Sequence, residues 1–195
     1  AYTPTAPVLI RGCHFAFNTA EGGTAFTNGE AGVTYGGALL GYETLTVEDC
    51  DFIGNRAVGG EVEVAIKPFS ARPISGKALG GALAAAGTLT IRRCNFTNNA
   101  AISGKIGESS RFGNAAGGAI GALGLTAENC HFEGNTATAE EGLFGNVLGG
   151  AVVVSSENFH SSVTSCTFVQ NSAALPLSDD AGAALGGAIA AFYFD

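Results

Sequence analysis

One eight-residue phrase, Cys-x-Phe-x-x-Asn-x-Ala, occurs five times in this chain and limits its possible folds more than any other feature. The copies read CHFAFNTA, CDFIGNRA, CNFTNNAA, CHFEGNTA and CTFVQNSA, and they begin at Cys13, Cys50, Cys94, Cys130 and Cys166. Successive copies start 37, 44, 36 and 36 residues apart. Self-similarity at such a period is typical of solenoids, in which each repeat buries its apolar face against its neighbours.

A second phrase, Gly-Gly-Ala followed by an apolar residue, alternates with the first. Its copies begin at Gly36, Gly80, Gly117, Gly149 and Gly186. From Gly-Gly to the next Cys the distance is 14, 14, 13 and 17 residues, whereas from Cys to the next Gly-Gly it varies between 19 and 30 residues. The part of the repeat from Cys to the next Gly-Gly varies in length, which predicts variable loops on one edge of a rigid scaffold. These loops are 21–35, 58–79, 102–116, 138–148 and 174–185.

The residues before each Cys alternate between apolar and polar, as they do in a β-strand. Leu45 and Val47 alternate in this way in TLTVEDC, and Leu89 and Ile91 do so in TLTIRRC. The next apolar pair, Cys and the Phe two residues later, has the opposite parity, which predicts a bend between two short strands. We therefore expect an all-β fold. It should be a right-handed parallel β-helix, or solenoid, of about five coils with rungs ~4.8 Å apart.

Stacked coils would place equivalent residues of the phrase above one another. We expect the five Phe and the five Cys to form two inner ladders. The five Asn should form an amide ladder at a turn, since Asn tolerates left-handed backbone geometry. Outward residues two before each Cys alternate in charge along Arg11, Glu48, Arg92, Glu128 and Thr164. Opposite charges on neighbouring strands stabilise by ~0.2–1 kcal/mol per pair, which supports this register.

Composition and charge exclude several classes of protein. Hydrophobic residues make up 46% of the 195 residues and charged residues 13%, which indicates one packed domain over 1–195 rather than a disordered chain. The formal net charge is −8 and all nine Lys and Arg precede residue 113, so nucleic-acid binding is not expected. The apolar runs are too short for a transmembrane helix, and none is expected.

The cysteine pattern favours free thiols. The chain has five Cys, an odd number, and each occurs once per repeat at the same place. No C-x-x-C motif or His pair accompanies them, so a metal site is not expected. No motif for a cofactor is present either, and we expect none. Small buried thiols fit the pattern best.

The two phrases resemble the repeats of the chlamydial polymorphic outer-membrane proteins. They run here from Gly36-Gly37-Ala38-Leu39 to Gly186-Gly187-Ala188-Ile189, and from Phe15-x-x-Asn18 to Phe168-x-x-Asn171, which is nearly the whole chain. Members of that family are surface-exposed passenger domains of autotransporters that act as adhesins. The resemblance implies an extracellular or cell-surface scaffold rather than a catalyst. Neither end of the chain looks capped, as the ends of solenoids normally are, so we expect a segment of a longer solenoid.

Three groups of residues are candidate sites. A basic edge on the two loops 58–79 and 102–116 could meet an anionic glycan or an acidic surface of another protein copy. It comprises Lys67, Arg72, Lys77, Lys105 and Arg111. A polar strip of Asp49, Asp51, Arg93 and His131 should face outward on successive rungs, where acid–base work on a sugar is possible. Asn95 heads the sequon Asn-Phe-Thr and is a glycosylation candidate.

Two functions therefore stay open. The first is an extracellular structural or adhesive module that presents its variable loops for binding or assembly, with other protein copies, subunits of a surface assembly or anionic glycans as partners. The second is a carbohydrate-active enzyme, a polysaccharide lyase or hydrolase, built on the same scaffold. A pocket with converging Asp, Arg and His side chains would favour the enzyme, and a flat strip would favour the module.

Overall fold

A computed structural model describes residues 7–26, 31–63, 76–105, 114–139, 146–155, 159–175 and 182–191. Within these ranges every regular element is a β-strand, and no helix occurs. All strand pairs are parallel and join equivalent residues of successive repeats. The strands form four sheets that lie one after another along each repeat.

Each sheet collects one part of the repeat. The long sheet holds Val8–Arg11, Leu39–Gly41, Leu45–Glu48, Leu83–Arg92, Ile120–Glu128, Val152–Val154, Ser162–Thr164 and Ile189–Ala191. The phenylalanine sheet holds His14–Ala16, Asp51–Ile53, Asn95–Thr97, His131–Glu133 and Thr167–Val169. The alanine sheet holds Thr19–Glu21, Arg56–Val58, Ala100–Ile102, Thr136–Thr138 and Ser172–Ala174. The short sheet holds Thr34–Tyr35, Ala78–Leu79, Ala115–Ala116, Val147–Leu148 and Ala184–Leu185.

The stacked sheets confirm the predicted parallel β-helix. Phe rings of neighbouring rungs have centroids 4.7–4.9 Å apart and planes within 9° of parallel. That spacing is the distance between hydrogen-bonded strands, so each ring sits directly above the next. The predicted charge register is also confirmed, because Arg11 pairs with Glu48 and Arg92 pairs with both Glu48 and Glu128. The right-handed winding and the number of coils stay predictions.

The core lies between the long sheet and the phenylalanine sheet. The middle rings, Phe52, Phe96 and Phe132, are fully buried, and they pack against inward Leu, Val and Ile side chains of the long sheet. The Ala of the first four Gly-Gly-Ala phrases packs into the same core: Ala82, Ala119 and Ala151 are buried in it, and Ala38 is partly buried against it.

Besides the first glycine of the Gly-Gly pair, two residues per repeat take left-handed backbone geometry, and they make the bends around the Cys-x-Phe strand. One is the residue before each Cys, such as Asp49 with a φ of 53° and Arg93 with a φ of 50°. The other is the residue before each Asn, such as Asn98 with a φ of 53°. The expectation that the ladder Asn itself takes this geometry was therefore wrong by one residue. A ladder Asn such as Asn99 instead turns its amide inward, where it is buried.

The two residues of the Gly-Gly pair are glycine for different reasons. The first glycine has a positive φ in all five copies, for example 63° at Gly117. The second has no room for a side chain in four of the five copies: a Cβ on Gly118, for example, would collide with the carbonyl oxygen of Gly150 on the next rung, whereas a Cβ on Gly187 would make only an ordinary contact. The conformation of the first residue thus requires glycine in every copy, and close backbone approach requires it at the second residue of the first four.

The predicted loops were too wide. Two strands per repeat, in the alanine and short sheets, lie where the sequence predicted only turn and loop. The connections between them are 22–33, 59–77, 103–114, 139–146 and 175–183. Strands of two or three residues carry no alternation of their own, so only stacking against the equivalent strand of the next repeat reveals them.

The cysteine ladder is buried only in its middle. Cys50, Cys94 and Cys130 are buried free thiols, and each S–H donates to the carbonyl oxygen two residues earlier at 3.0–3.3 Å. Cys13 is exposed and Cys166 half-buried, so the expectation of five buried thiols was wrong for these two. Both belong to the outermost described copies of the phrase, which a neighbouring rung covers on one side only.

Thiol labelling should distinguish the exposed cysteine from the buried ones. We expect Cys13 to react quickly with a maleimide in the native protein, and Cys50, Cys94 and Cys130 to react only after unfolding. Burial raises the pKa of Cys50, and the hydrogen bond with Cys94, followed by burial, raises the pKa of Cys130, so little thiolate is available at either. Mass spectrometry of labelled peptides measures each site. Native labelling of Cys94 as fast as that of Cys13 would contradict the inward ladder.

Candidate functional site

The connections that differ most between repeats all leave the solenoid along one edge. Each of the five leads from a strand of the alanine sheet to a strand of the short sheet. Because both sheets are stacked in register, the five departure points lie in one row and the five return points in another. The predicted edge of variable loops is therefore present, with the narrower bounds given above.

A ladder of glycines builds the base of this edge. Outgoing and returning chains alternate there, through hydrogen bonds of 2.9–3.0 Å from each backbone N–H to the preceding carbonyl. The members of this glycine ladder are Gly23, Gly32, Gly60, Gly76 and Gly104. A Cβ on Gly60 or Gly104 would collide with a neighbouring backbone carbonyl. Glycine at these positions thus lets the outgoing and returning chains of the first three connections approach closely enough to bond to each other. This glycine ladder was not predicted from the sequence, although the Gly-Gly pairs at 22–23 and 59–60 were a signal of it.

Part of the proposed basic edge lies beside this ladder. Lys77 follows Gly76, Lys105 follows Gly104, and both lysines are exposed. The remaining basic candidates, Lys67, Arg72 and Arg111, lie outside the described residues. The structure therefore brings Lys77 and Lys105 to the same edge, as expected.

The polar strip is a network of ion pairs. Asp49 and Arg93 form a bidentate pair with Nε–Oδ1 and Nη2–Oδ2 distances of 2.6 and 3.0 Å. Arg11 Nε contacts the same carboxylate at 3.2 Å, and its Nη2 contacts Glu48 at 3.2 Å. The carboxylate and the guanidinium that would have to act on a substrate therefore neutralise each other.

The rest of the strip lies on the outer face of the phenylalanine sheet. Asp51, Asn95 and His131 are register partners on three successive rungs, so Asp51 and His131 are separated by a full rung. Asn95 Nδ2 donates to Asp51 Oδ1 at 2.8 Å, and the ring of His131 contacts Glu133 and Thr167. These side chains form a flat strip. Two apolar cavities occur in the described part of the chain, one lined by residues such as Tyr35 and Gly121 and the other by residues such as Val8 and Leu45, and the strip lines neither of them. Asn95 is exposed, as expected for the glycosylation candidate, while Phe96 of the same sequon is buried.

Replacing Arg93 should raise the pKa of Asp49. The hydrogen bond from Arg93, with a smaller contribution from Arg11, lowers this pKa to about 2. A pKa below its unfolded value means that the ionised pair favours folding above about pH 4 and loses this effect as pH falls towards 2. In Arg93→Asn, which keeps a residue that tolerates the left-handed backbone, NMR titration should show the Asp49 pKa moving towards about 3.9. Arg92→Gln is the control, because Arg92 contacts Glu48 and Glu128 instead. An unchanged titration in Arg93→Asn would contradict the pair.

The cavity lined by Tyr35 and Gly121, which was not predicted from the sequence, opens on the outer surface where the short sheet meets the long sheet. Its volume is about 280 Å³. Tyr35 and Leu79 of the short sheet line one side, and Leu40, Ala84 and Gly121 of the long sheet line the other. Tyr42 also lines this apolar groove. The sequence does contain a signal of this cavity: the residue that follows each Gly-Gly-Ala-apolar phrase varies in size from repeat to repeat.

A comparison with protein-family models found no match, and comparisons with curated proteins and with solved structures found none either. Among the residues that the structure describes, no helix is long and apolar enough to span a membrane. The same residues contain no group of three or more His, Cys, Asp or Glu side chains placed to hold a metal ion.

Proposed function

We propose that this chain is an extracellular or cell-surface structural and adhesive module, whose β-helix presents variable loops for binding or assembly. One observation carries the proposal: the five most variable connections leave the scaffold in one row, from a base that backbone hydrogen bonds hold together. Recognition residues commonly occur on loops that a rigid scaffold positions. Loop length varies here while the register of the scaffold stays constant.

The resemblance to the chlamydial polymorphic outer-membrane protein repeats supports the surface location and the adhesive role. The recurrence of the two phrases within this chain also supports a scaffold, because the residues that recur in every repeat lie in the core and at the turns. The enzyme alternative has no comparable support, since the carboxylate and guanidinium of the polar strip pair with each other on an open face.

The proposed partner is anionic: a sulfated glycan or the acidic surface of a second copy of this chain. Lys77 and Lys105 stand at the bases of neighbouring loops, and the residues after 112 contain eight acids and no base. Exposed charges of this kind act over ~8 Å at physiological ionic strength, so binding should weaken as salt is raised.

The test uses two variants. The five-fold variant has serine at Lys67, Arg72, Lys77, Lys105 and Arg111, and the double variant has serine at Lys77 and Lys105 only. Binding to heparin and self-association are measured at low and high salt. We expect the five-fold variant to lose both interactions and the double variant to show an intermediate loss. The control variant carries Arg11→Ser and Arg56→Ser. It loses the same net charge as the double variant, but away from the basic edge, and we expect it to bind heparin and to self-associate as the parent does. Equal losses in this control and in the Lys77 and Lys105 variant would show that net charge, and not this edge, is responsible.

A further inference from the structure

The cysteine ladder contains one pair in which an exposed thiol lies beside a buried one. His14 and Asp51 are register partners in the phenylalanine sheet. The residues before them, Cys13 and Cys50, therefore stand opposite each other on the first two rungs. Parallel strands place such partners ~4.8 Å apart, within the range of about 4.4–6.8 Å that separates the Cα atoms of most disulfide bonds. The backbone of this pair thus already suits a disulfide bond.

The side chain of Cys50 points towards Cys13. Its Sγ accepts a hydrogen bond of 3.3 Å from the backbone N–H of Cys13. Cys50 is 1% exposed and packed in the core, whereas Cys13 is exposed, so Cys13 is the one with room to change its rotamer. Such a change would carry the Cys13 Sγ away from the carbonyl oxygen of Arg11, which it contacts at 3.4 Å, and towards the Cys50 Sγ.

No other neighbouring pair in the described part of the ladder combines these properties. Cys166 Sγ likewise points to the preceding rung, where it accepts from the backbone N–H of Cys130 at 3.4 Å. Here the residue that would have to turn is Cys130, which is buried in the packed core. Cys94 has only buried cysteines as neighbours, so an oxidant in solution reaches neither member of its pairs.

We propose that Cys13 and Cys50 are a redox-active pair, which a small-molecule disulfide oxidises to a bond that ties the first rung to the second. The Cys13 thiolate attacks one sulfur of the oxidant, for example glutathione disulfide, and one glutathione thiolate leaves. The Cys50 sulfur then attacks the Cys13 sulfur and releases the second glutathione thiolate. The protons of the two cysteine thiols pass to the two glutathione molecules, so both cysteines are oxidised and one glutathione disulfide is reduced.

The burial of Cys50 fixes the order of these steps. Burial raises the pKa of Cys50, so this residue holds little thiolate and does not meet the oxidant first. Once Cys13 carries a glutathione, the neighbouring Cys50 sulfur is the one placed to displace it. Disulfide bonds persist in oxidising surroundings, so the occurrence of this bond in the organism rests on the surface location of the proposed function.

The experiment treats the folded 195-residue chain with glutathione disulfide and maps the products by mass spectrometry of non-reduced peptides. We expect two peptides joined through Cys13 and Cys50, with the joined pair two hydrogens lighter than the separate peptides. After unfolding without a reductant, Cys94 and Cys130 should react with a maleimide, whereas the joined cysteines should not. The strand Val8–Arg11 should exchange its amide hydrogens about tenfold more slowly in the oxidised protein, because its rung no longer opens independently.

Three variants separate the roles of the cysteines. Cys50→Ala keeps a small apolar residue in the core, and we expect its oxidation to stop at a glutathione adduct on Cys13. Cys13→Ser should leave Cys50 reduced, because the exposed thiol that starts the reaction is gone. Cys166→Ser is the matched control: it removes the half-buried thiol of the last described copy and should form the bond between Cys13 and Cys50 as the parent does.

Three outcomes would overturn the proposal. A glutathione adduct on Cys13 that persists in the parent would show that Cys50 does not reach it. A dimer joined through Cys13 of two copies would show that this thiol pairs outside its own chain. A bond between Cys130 and Cys166 in equal yield would show that burial does not select the pair. None of these measurements uses heparin or self-association through the basic edge, so a failure here and a failure of the proposed function are distinguishable.

Discussion

Replacing Phe96 with alanine is expected to lower the free energy of unfolding by about 3–5 kcal/mol, the range for emptying a buried aromatic site. Phe96 is fully buried and stacks between Phe52 and Phe132, with centroid distances of 4.8 and 4.9 Å. The rungs on both sides are held in register by backbone hydrogen bonds, so they cannot move together to fill the hole. Urea denaturation of the parent and the variant measures the difference.

Phe168→Ala is the matched control for this prediction. Phe168 occupies the same place in the phrase, but it is only half-buried and the described rings stack on one of its faces. We expect a smaller loss than for Phe96→Ala, because less apolar surface returns to water and the site is open on one side. A loss below about 1 kcal/mol for Phe96→Ala would contradict an interior ring, since surface changes usually stay within ~0.5 kcal/mol.

Replacing Asn99 with alanine should destabilise the protein by about 3–6 kcal/mol, because several buried groups lose their partners at about 1–3 kcal/mol each. Asn99 Oδ1 accepts from the backbone N–H and the side-chain amide of Asn55, at 2.9 and 3.0 Å. Its Nδ2 donates to the carbonyl oxygen of Phe52 and to Asn135 Oδ1, both at 2.9 Å. Alanine leaves the backbone N–H of Asn55 buried without this acceptor, and the ladder is interrupted at its centre.

Asn18→Ala is the control at the exposed end of the same ladder. Asn18 Nδ2 donates to Asn55 Oδ1 at 2.9 Å, and the Asn18 backbone N–H, which the variant keeps, donates to the same oxygen. The side chain is exposed, so water replaces the single lost bond, and we expect a loss under about 1 kcal/mol. Thermal and urea denaturation of both variants provides the comparison. Equal effects of Asn18→Ala and Asn99→Ala would mean that the buried amide ladder does not stabilise the stack.

The core and the register were predictable because each depends on residues that recur in the sequence. Phe96, Cys94 and Asn99 belong to one phrase, and stacking equivalent residues of a repeat is the simplest way to bury them all. The charges of Arg92, Glu48 and Glu128 alternate from repeat to repeat, so only one register places opposite charges on neighbouring rungs. These inferences needed only the period of the pattern and the fact that neighbouring rungs meet residue by residue.

The candidate sites were predicted less well, because a site depends on which side chains face one another across different parts of the coil. Asp49 and Arg93 were correctly placed on the outer face, but the sequence could not show that they form a bidentate pair with each other. The apolar groove combines Tyr35 from one sheet with Leu40 and Gly121 from another. Which residues of the two sheets face each other depends on how the chain turns between them, and neither strand specifies that turn by itself.

The sequence by itself determined that this protein is a parallel stack of repeats with Phe, Cys and Asn ladders, because a five-fold phrase leaves few other ways to bury its apolar residues. Only the tertiary structure decided where the left-handed residues lie, how the glycine ladder holds the loop bases, and that two sheets form an apolar groove. These features arise from contacts between segments that are far apart within a repeat. A local pattern of two or three residues is too short to specify such contacts, so they become definite only when the strands of successive repeats stack.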